Sequence, residues 1–138
     1  CPFAPGKTFA DVLLVPTKLY VASCLSALKA FPDAVHAFAH ITGGGLPENL
    51  PRVLPAHLGA SLSARAWEMP AIFGWLQKTG NVPLHDLWRT LNCGIGMVAV
   101  VAKNQAEAIA AHLRTSGEMV YVLGEITPRG AEPVVIRD

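Results

Sequence analysis

The residues best suited to chemistry lie together in His40-Ile41-Thr42-Gly43-Gly44-Gly45-Leu46-Pro47-Glu48-Asn49-Leu50-Pro51-Arg52. Three consecutive glycines serve helix and strand poorly, but they reach positive φ without steric cost and let a backbone or ligand approach closely. Pro47 suits the first position of a short helical turn, which Pro51 stops. The amides of Thr42, Gly43, Gly44 and Gly45 form a ready anion site, suited to a phosphate or phosphoryl oxygen. His40, where a strand enters the loop, is placed for acid/base work or a phosphate contact. Arg52 suits a phosphate or an ordinary surface ion pair. Asn49 and Glu48 suit either orienting a substrate or capping the turn. A tight connection without ligand is the alternative for a lone Gly-Gly-Gly, and no Gly-Lys-Ser/Thr follows to make a Walker A loop.

A second string runs from Gly80-Asn81-Val82 to Arg89-Thr90-Leu91-Asn92-Cys93-Gly94-Ile95-Gly96-Met97. Arg89, Thr90 and Asn92 are its polar candidates, ranked below the loop, with His85 just after Pro83. Gly94-Ile95-Gly96-Met97-Val98-Ala99 fits a dinucleotide fingerprint in letters only. That fingerprint follows a strand and opens a helix, whereas here a helix precedes and Met97 to Val101 reads as a buried strand. Both glycines are assigned to a tight helix-to-strand approach. His36 and His40 invite a metal reading, yet on a strand four residues span ~13 Å, too far for one ion. No metal site, Ser-His-Asp or Cys-His constellation is legible. His57 and His112 read as surface histidines, and Trp75 and Trp88 as core or interface packing.

These candidates need elements to hold them. Val35 to Ile41 alternates, with Val35, Ala37, Ala39 and Ile41 opposite His36, Phe38 and His40, which is the period of a strand. Before it, Val21, Leu25 and Leu28 fall on one helical face, taken as the buried one, with Cys24 beside it, and Pro32-Asp33 ends the helix. Leu58 to Ser63 reads as a short strand. Helices follow from Pro70, with Gly80 as the C′ residue, and from Pro83. Asn104 is expected to cap a helix with Glu107 at N3 and Gly117 as its stop. Glu118 to Ile126 alternates as a strand, and Pro133 to Ile136 as a final edge strand. The class is α/β or α+β, a mixed sheet covered by helices. Residues 1–16, with four Pro/Gly breaks, read as an extended lead-in or linker, in which Phe9 to Val15 suits a short amphipathic turn. Residues 17–138 then form a single domain.

Hydrophobic residues make up 51% of the 138 and charged residues 15%, against a usual charged share of about 25%. Water-compatible surface is therefore scarce, and we expect an apolar face that packs on another domain or subunit. A net charge of +1 gives no electrostatic reason to expect nucleic acid or an anionic membrane as partner. The longest apolar stretch, Cys93 to Ala102, is too short to span a bilayer. Cys1, Cys24 and Cys93 make neither a disulfide framework nor a zinc pattern, which fits a reducing, cytoplasmic compartment. The start at Cys1-Pro2 reads as a cut from a longer chain.

The two strings together resemble the C-terminal half of phosphoribosylformylglycinamidine cyclo-ligase, or aminoimidazole ribonucleotide synthetase. That family writes His-Ile-Thr-Gly-Gly-Gly, then Glu-Asn and Pro-Arg-Val-Leu-Pro, and later Gly-Asn-Val, Arg-Thr-Phe-Asn and Gly-x-Gly-Met. The likeness runs from about Pro16 to Val135. It implies a mixed sheet, partly ferredoxin-like, paired with an N-terminal ATP-binding domain in a homodimeric enzyme of purine biosynthesis. The implied reaction takes formylglycinamidine ribonucleotide and ATP to aminoimidazole ribonucleotide, ADP and phosphate through an iminophosphate. Such chemistry needs ATP, Mg²⁺, phosphate donors and proton transfer, not a covalent nucleophile. The loop would then hold the substrate's 5′-phosphate or the ATP tail. The acidic and glycine-rich strings of the family's N-terminal half are absent, so most of the Mg-ATP site is expected outside this chain. Relatives can carry an acidic residue at the position of His85, which argues against a strict catalytic duty there. Two other classes stay open. One is a sister phosphoryl-transfer enzyme of the selenophosphate synthetase or thiamine-phosphate kinase kind, and the other is a non-catalytic packing or oligomerisation module.

Overall fold

Five short strands build the frame of this domain, whose computed structural model describes residues 1–137. Strand β1 (Val35–His40) pairs antiparallel with β3 (Met97–Val101) in a two-stranded sheet. Strand β2 (Leu58–Ser63) lies centrally in a second sheet, antiparallel to β4 (Gly124–Pro128) and parallel to β5 (Val134–Arg137). Helices α1 (Phe9–Leu13), α2 (Val21–Ala30), α3 (Gly45–Asn49), α4 (Ala71–Gly80), α5 (Leu84–Thr90) and α6 (Ala106–Thr115) surround them. The class is mixed α/β as expected, but the strands divide into two small sheets.

One core joins the sheets. Ala39 and Ile41 from the β1 side meet Leu46 and Leu50 from α3 and its following turn, Ala60 and Leu62 of β2, Trp67, Ile95 and Val134. A second cluster of Ala27, Ala34, Val35 and Ile109 packs α2 and α6 on the other face of β1. Strict alternation puts Val35 on the same face as Ala39. A register shift between Val35 and Ala37 turns Val35 to the helix side instead, the expected consequence of one unpaired residue in a ladder.

The buried face of α2 is not the predicted one. Ser23 and Ala27 face inward, while Val21, Leu25 and Leu28 are 66%, 50% and 38% exposed. Small side chains let the helix lie close to β1, and its large ones are left outside with Leu13, Leu14, Val15 and Leu19. The apolar surface inferred from the low charge count therefore has a location.

Other boundaries also moved. Within residues 1–16 the short turn expected from Phe9 to Val15 forms as α1, closed by a Thr8–Asp11 capping box, and Phe3 and Phe9 pack on Trp75. Gly80 is the last residue of α4, and Asn81 takes the left-handed turn at φ 48°. Pro47 stands at the third position of α3 rather than the first. A 3₁₀ turn at Lys103–Gln105 precedes α6, so Asn104 makes no cap bond. Strand β4 starts at Gly124; the segment from Glu118 to Leu123 lies outside any helix or ladder and is joined to β2 by the Ser63 amide on the Leu123 carbonyl.

Candidate functional site

The glycine loop is fixed at both ends by the core. Ile41 before it and Leu46 and Leu50 after it are each at most 2% exposed, and the Ile41 amide donates to the Gly96 carbonyl at 2.9 Å. Between them the chain turns through Gly44 at φ +94° and Gly45 at φ +58°, a left-handed pair that favours glycine. The Gly45 amide donates to the Thr42 carbonyl at 3.0 Å, and Glu48 donates to the Gly44 carbonyl at 3.3 Å. The amides of Gly43 and Gly44 donate to no protein group among the described residues.

Asn49 lies beneath the loop and is 5% exposed. Its Nδ2 donates to the carbonyls of Gly45, Gly43 and Thr42 at 2.8, 3.1 and 3.4 Å. Its Oδ1 accepts from Arg52 Nη1 at 3.1 Å and from the Thr42 hydroxyl at 3.5 Å. Arg52 has no carboxylate within ion-pair distance among the described residues, so its charge is uncompensated. Glu48 folds over Gly44, with Oε2 2.5 Å from the point a Cβ there would occupy. That carboxylate opposes any anion at the Gly44 amide unless it swings away or a cation accompanies the anion.

The second string packs directly behind the first. A Cβ on Gly45 would overlap the Trp88 carbonyl oxygen and crowd that of Leu91, so α5 and its end touch the loop backbone. Asn92 shapes the following turn, accepting from the Gly94 amide at 3.1 Å. Arg89 and Thr90 are exposed and have no side-chain hydrogen bond among the described residues. His85 pairs with its neighbour Asp86 at 3.2 Å on the surface. His40 stands at the end of β1, exposed, its ring edge-on to Tyr20 with centroids 6.2 Å apart. No hydrogen bond ties it to the loop among the described residues. His112, read as a surface residue, is half-buried and bonded to Ser26 Oγ at 2.8 Å, which joins α6 to α2.

One polar cluster has no local signal in the sequence. Glu118 takes Lys18 Nζ at 2.6 Å on one oxygen and the Ser23 hydroxyl at 2.8 Å on the other. Burial works to raise its pKa, but the Lys18 and Ser23 bonds and the Lys18 charge outweigh that and hold it below the usual range. Tyr20, between these residues, sets its hydroxyl over Gly96. Burial pushes the Cys93 thiol up to about 11, which makes it a poor nucleophile at neutral pH. Among the described residues no group of three His, Cys, Asp or Glu side chains could hold a metal ion, and no helix is long and apolar enough to cross a membrane.

An open groove of about 1240 Å³ runs between β3 and the chain from Glu118 to Ile126. Neither His40 nor any residue from Thr42 to Asn49 lines it. Size alone would make it the first choice of ligand site, but its lining is mostly apolar, while the two amides with no acceptor among the described residues stand at the loop.

The result is a helix-covered α/β domain with a glycine loop that runs from the end of β1 into the short helix α3 and rests on a buried amide. Residues 2–137 match the family described as AIR synthase related protein, C-terminal domain, and the chain belongs to that family. Domains of this kind occur in AIR synthase and in related ATP-binding enzymes such as selenophosphate synthetase.

Proposed function

We propose that this domain is the C-terminal half of a phosphoribosylformylglycinamidine cyclo-ligase, and that its glycine loop holds a phosphate of the substrate or of ATP. The observation that supports the phosphate part of this reading is the pair of amides at Gly43 and Gly44 that find no acceptor among the described residues, in a loop whose Asn49 also holds the Arg52 guanidinium. Preformed donors of this kind stabilise phosphoryl charge without reorganising during the reaction. ATP with Mg²⁺, held mostly by an N-terminal ATP-binding domain of the same enzyme, supplies the phosphoryl group that turns the amide oxygen of formylglycinamidine ribonucleotide into a leaving group. This chain's own part is binding and orientation: the loop amides and Arg52 anchor phosphate, and the fixed loop ends hold that anchor in register. His40, whose ring makes no hydrogen bond among the described residues and which precedes the loop at the end of β1, serves as the proton-transfer candidate. Asn49 sits beneath the loop rather than facing substrate. Arg89 and Thr90 are open to a partner domain, and Thr42 bounds the loop. The working enzyme is a cytoplasmic homodimer in this reading, with the exposed face of α2 available for packing.

The family match embraces selenophosphate synthetase as well, so a sister phosphoryl-transfer enzyme is the second reading. The test is to combine this polypeptide with the ATP-binding domain of a cyclo-ligase and supply ATP, Mg²⁺ and either formylglycinamidine ribonucleotide or selenide. The proposal expects aminoimidazole ribonucleotide from the first substrate, nothing from selenide, and no turnover by this polypeptide alone. Product from selenide only would transfer the assignment to the sister class.

A further inference from the structure

A trans peptide points its C=O and the following N–H in opposite directions, and the chain has no cis peptides among its described residues. Asn49 gathers the carbonyls of Thr42 and Gly43 on its Nδ2. The amides that follow those carbonyls belong to Gly43 and Gly44, so each must point away from Asn49. These are the two amides that donate to nothing among the described residues. The same Nδ2 takes the Gly45 carbonyl, which locks the Gly45–Leu46 peptide at the end of the loop.

From this geometry we infer that Asn49 is a positioning residue for phosphate: it turns the Gly43 and Gly44 amides outward and couples that orientation to Arg52. The inference rests on the phosphate reading of the loop and adds the group that makes the loop competent. A carboxamide alone suits the place. Its two protons serve three carbonyls, and its one oxygen accepts from the Arg52 guanidinium and the Thr42 hydroxyl. At 5% exposure every one of these bonds replaces water that cannot reach the side chain. Aspartate would keep the Arg52 bond and strengthen it, but its oxygens would face three carbonyl oxygens and drive the peptides round. Serine is too short to bridge the loop to Arg52. Asn49 need not touch the phosphate: its oxygen is occupied by Arg52 and its nitrogen by the loop.

The experiment is a titration of the ¹⁵N-labelled protein with inorganic phosphate, following the Gly43 and Gly44 amide resonances. In the unaltered chain both should shift together with one dissociation constant, and the Asn49 side-chain NH₂ resonances should shift with the same constant. Asn49→Asp and Asn49→Ser should each weaken phosphate binding by tenfold or more, with resonances remote from the loop unchanged. Unaltered affinity in a folded variant overturns the positioning role and leaves the phosphate reading standing. Gly43 and Gly44 resonances that never move in the unaltered chain overturn the phosphate reading itself, and this inference falls with it. Where both variants unfold, the unaltered chain decides: Asn49 resonances that stay fixed while the loop amides shift refute the coupling.

Discussion

Replacing Gly45 by alanine places a methyl group where the Trp88 carbonyl oxygen already stands, with that of Leu91 close by. Both obstacles are backbone, so neither can rotate away. The residue must also hold φ +58°, which costs an L-residue with a Cβ about 1–2 kcal/mol. Overpacking of a filled site adds about 1–3 kcal/mol, for a combined loss on the order of 3 kcal/mol. That is a large fraction of the 5–15 kcal/mol that typically stabilises a domain. Gly43→Ala is the matched control, because nothing lies within 4 Å of its Cβ and its φ is not positive; its cost should stay within about 0.5 kcal/mol. Urea unfolding followed by circular dichroism measures both. With a slope of about 1–3 kcal/mol per molar, Gly45→Ala should lower the midpoint by roughly 1–3 M, or prevent folding. A Gly45→Ala midpoint equal to that of Gly43→Ala would refute the argument that the two motif strings meet backbone to backbone at Gly45.

Glu48→Gln removes the carboxylate over Gly44, so affinity for metal-free inorganic phosphate should rise severalfold by calorimetry; a fall would assign Glu48 an attractive role. His40→Ala should lower kcat by ~10²–10⁴-fold with KM little changed, if the imidazole transfers a proton; a stability loss with normal turnover per folded molecule would make it a packing residue. Glu118, whose folded pKa is depressed, contributes stability that is complete above its ordinary value of 4.5 and is lost as pH falls through the lower folded value. Urea midpoints of the parent and Glu118→Gln should therefore differ at pH 7 and converge as the pH falls progressively below 4.5; a constant gap throughout the acidification would contradict the linkage.

Much of the frame was legible because a period of two or 3.6 is a local property. The strands at Leu58–Ser63 and Met97–Val101 lie where their alternation or apolar run puts them. The loop between Ile41 and Leu46 announced itself through three glycines, and the family strings through their length. Less legible was which face a helix buries. Periodicity at Val21, Leu25 and Leu28 marks an apolar stripe but not what covers it, and within this chain the small Ser23 and Ala27 fit closer to β1. The segment from Glu118 to Leu123 alternates like a strand but finds no ladder partner, since pairing depends on distant chain. Asn49 offered no hint of burial, because a short polar residue in a motif suggests substrate as readily as backbone. The Lys18–Glu118 contact and the approach of Gly45 to α5 rest on long-range geometry that spacing does not encode.

The central proposal is that the glycine loop anchors a phosphate of the substrate or of ATP in an ATP-driven ring closure. Gly44→Val tests it most directly, because a branched side chain at φ +94° is strained and intrudes on the approach to the free amides. The measurement is calorimetric binding of formylglycinamidine ribonucleotide and of Mg-ATP, each in turn, to the enzyme reassembled with its ATP-binding domain, with the folded fraction determined alongside. The account predicts saturable binding of both by the parent and loss of one of them in folded Gly44→Val; equal affinity for both ligands in the two proteins would contradict it.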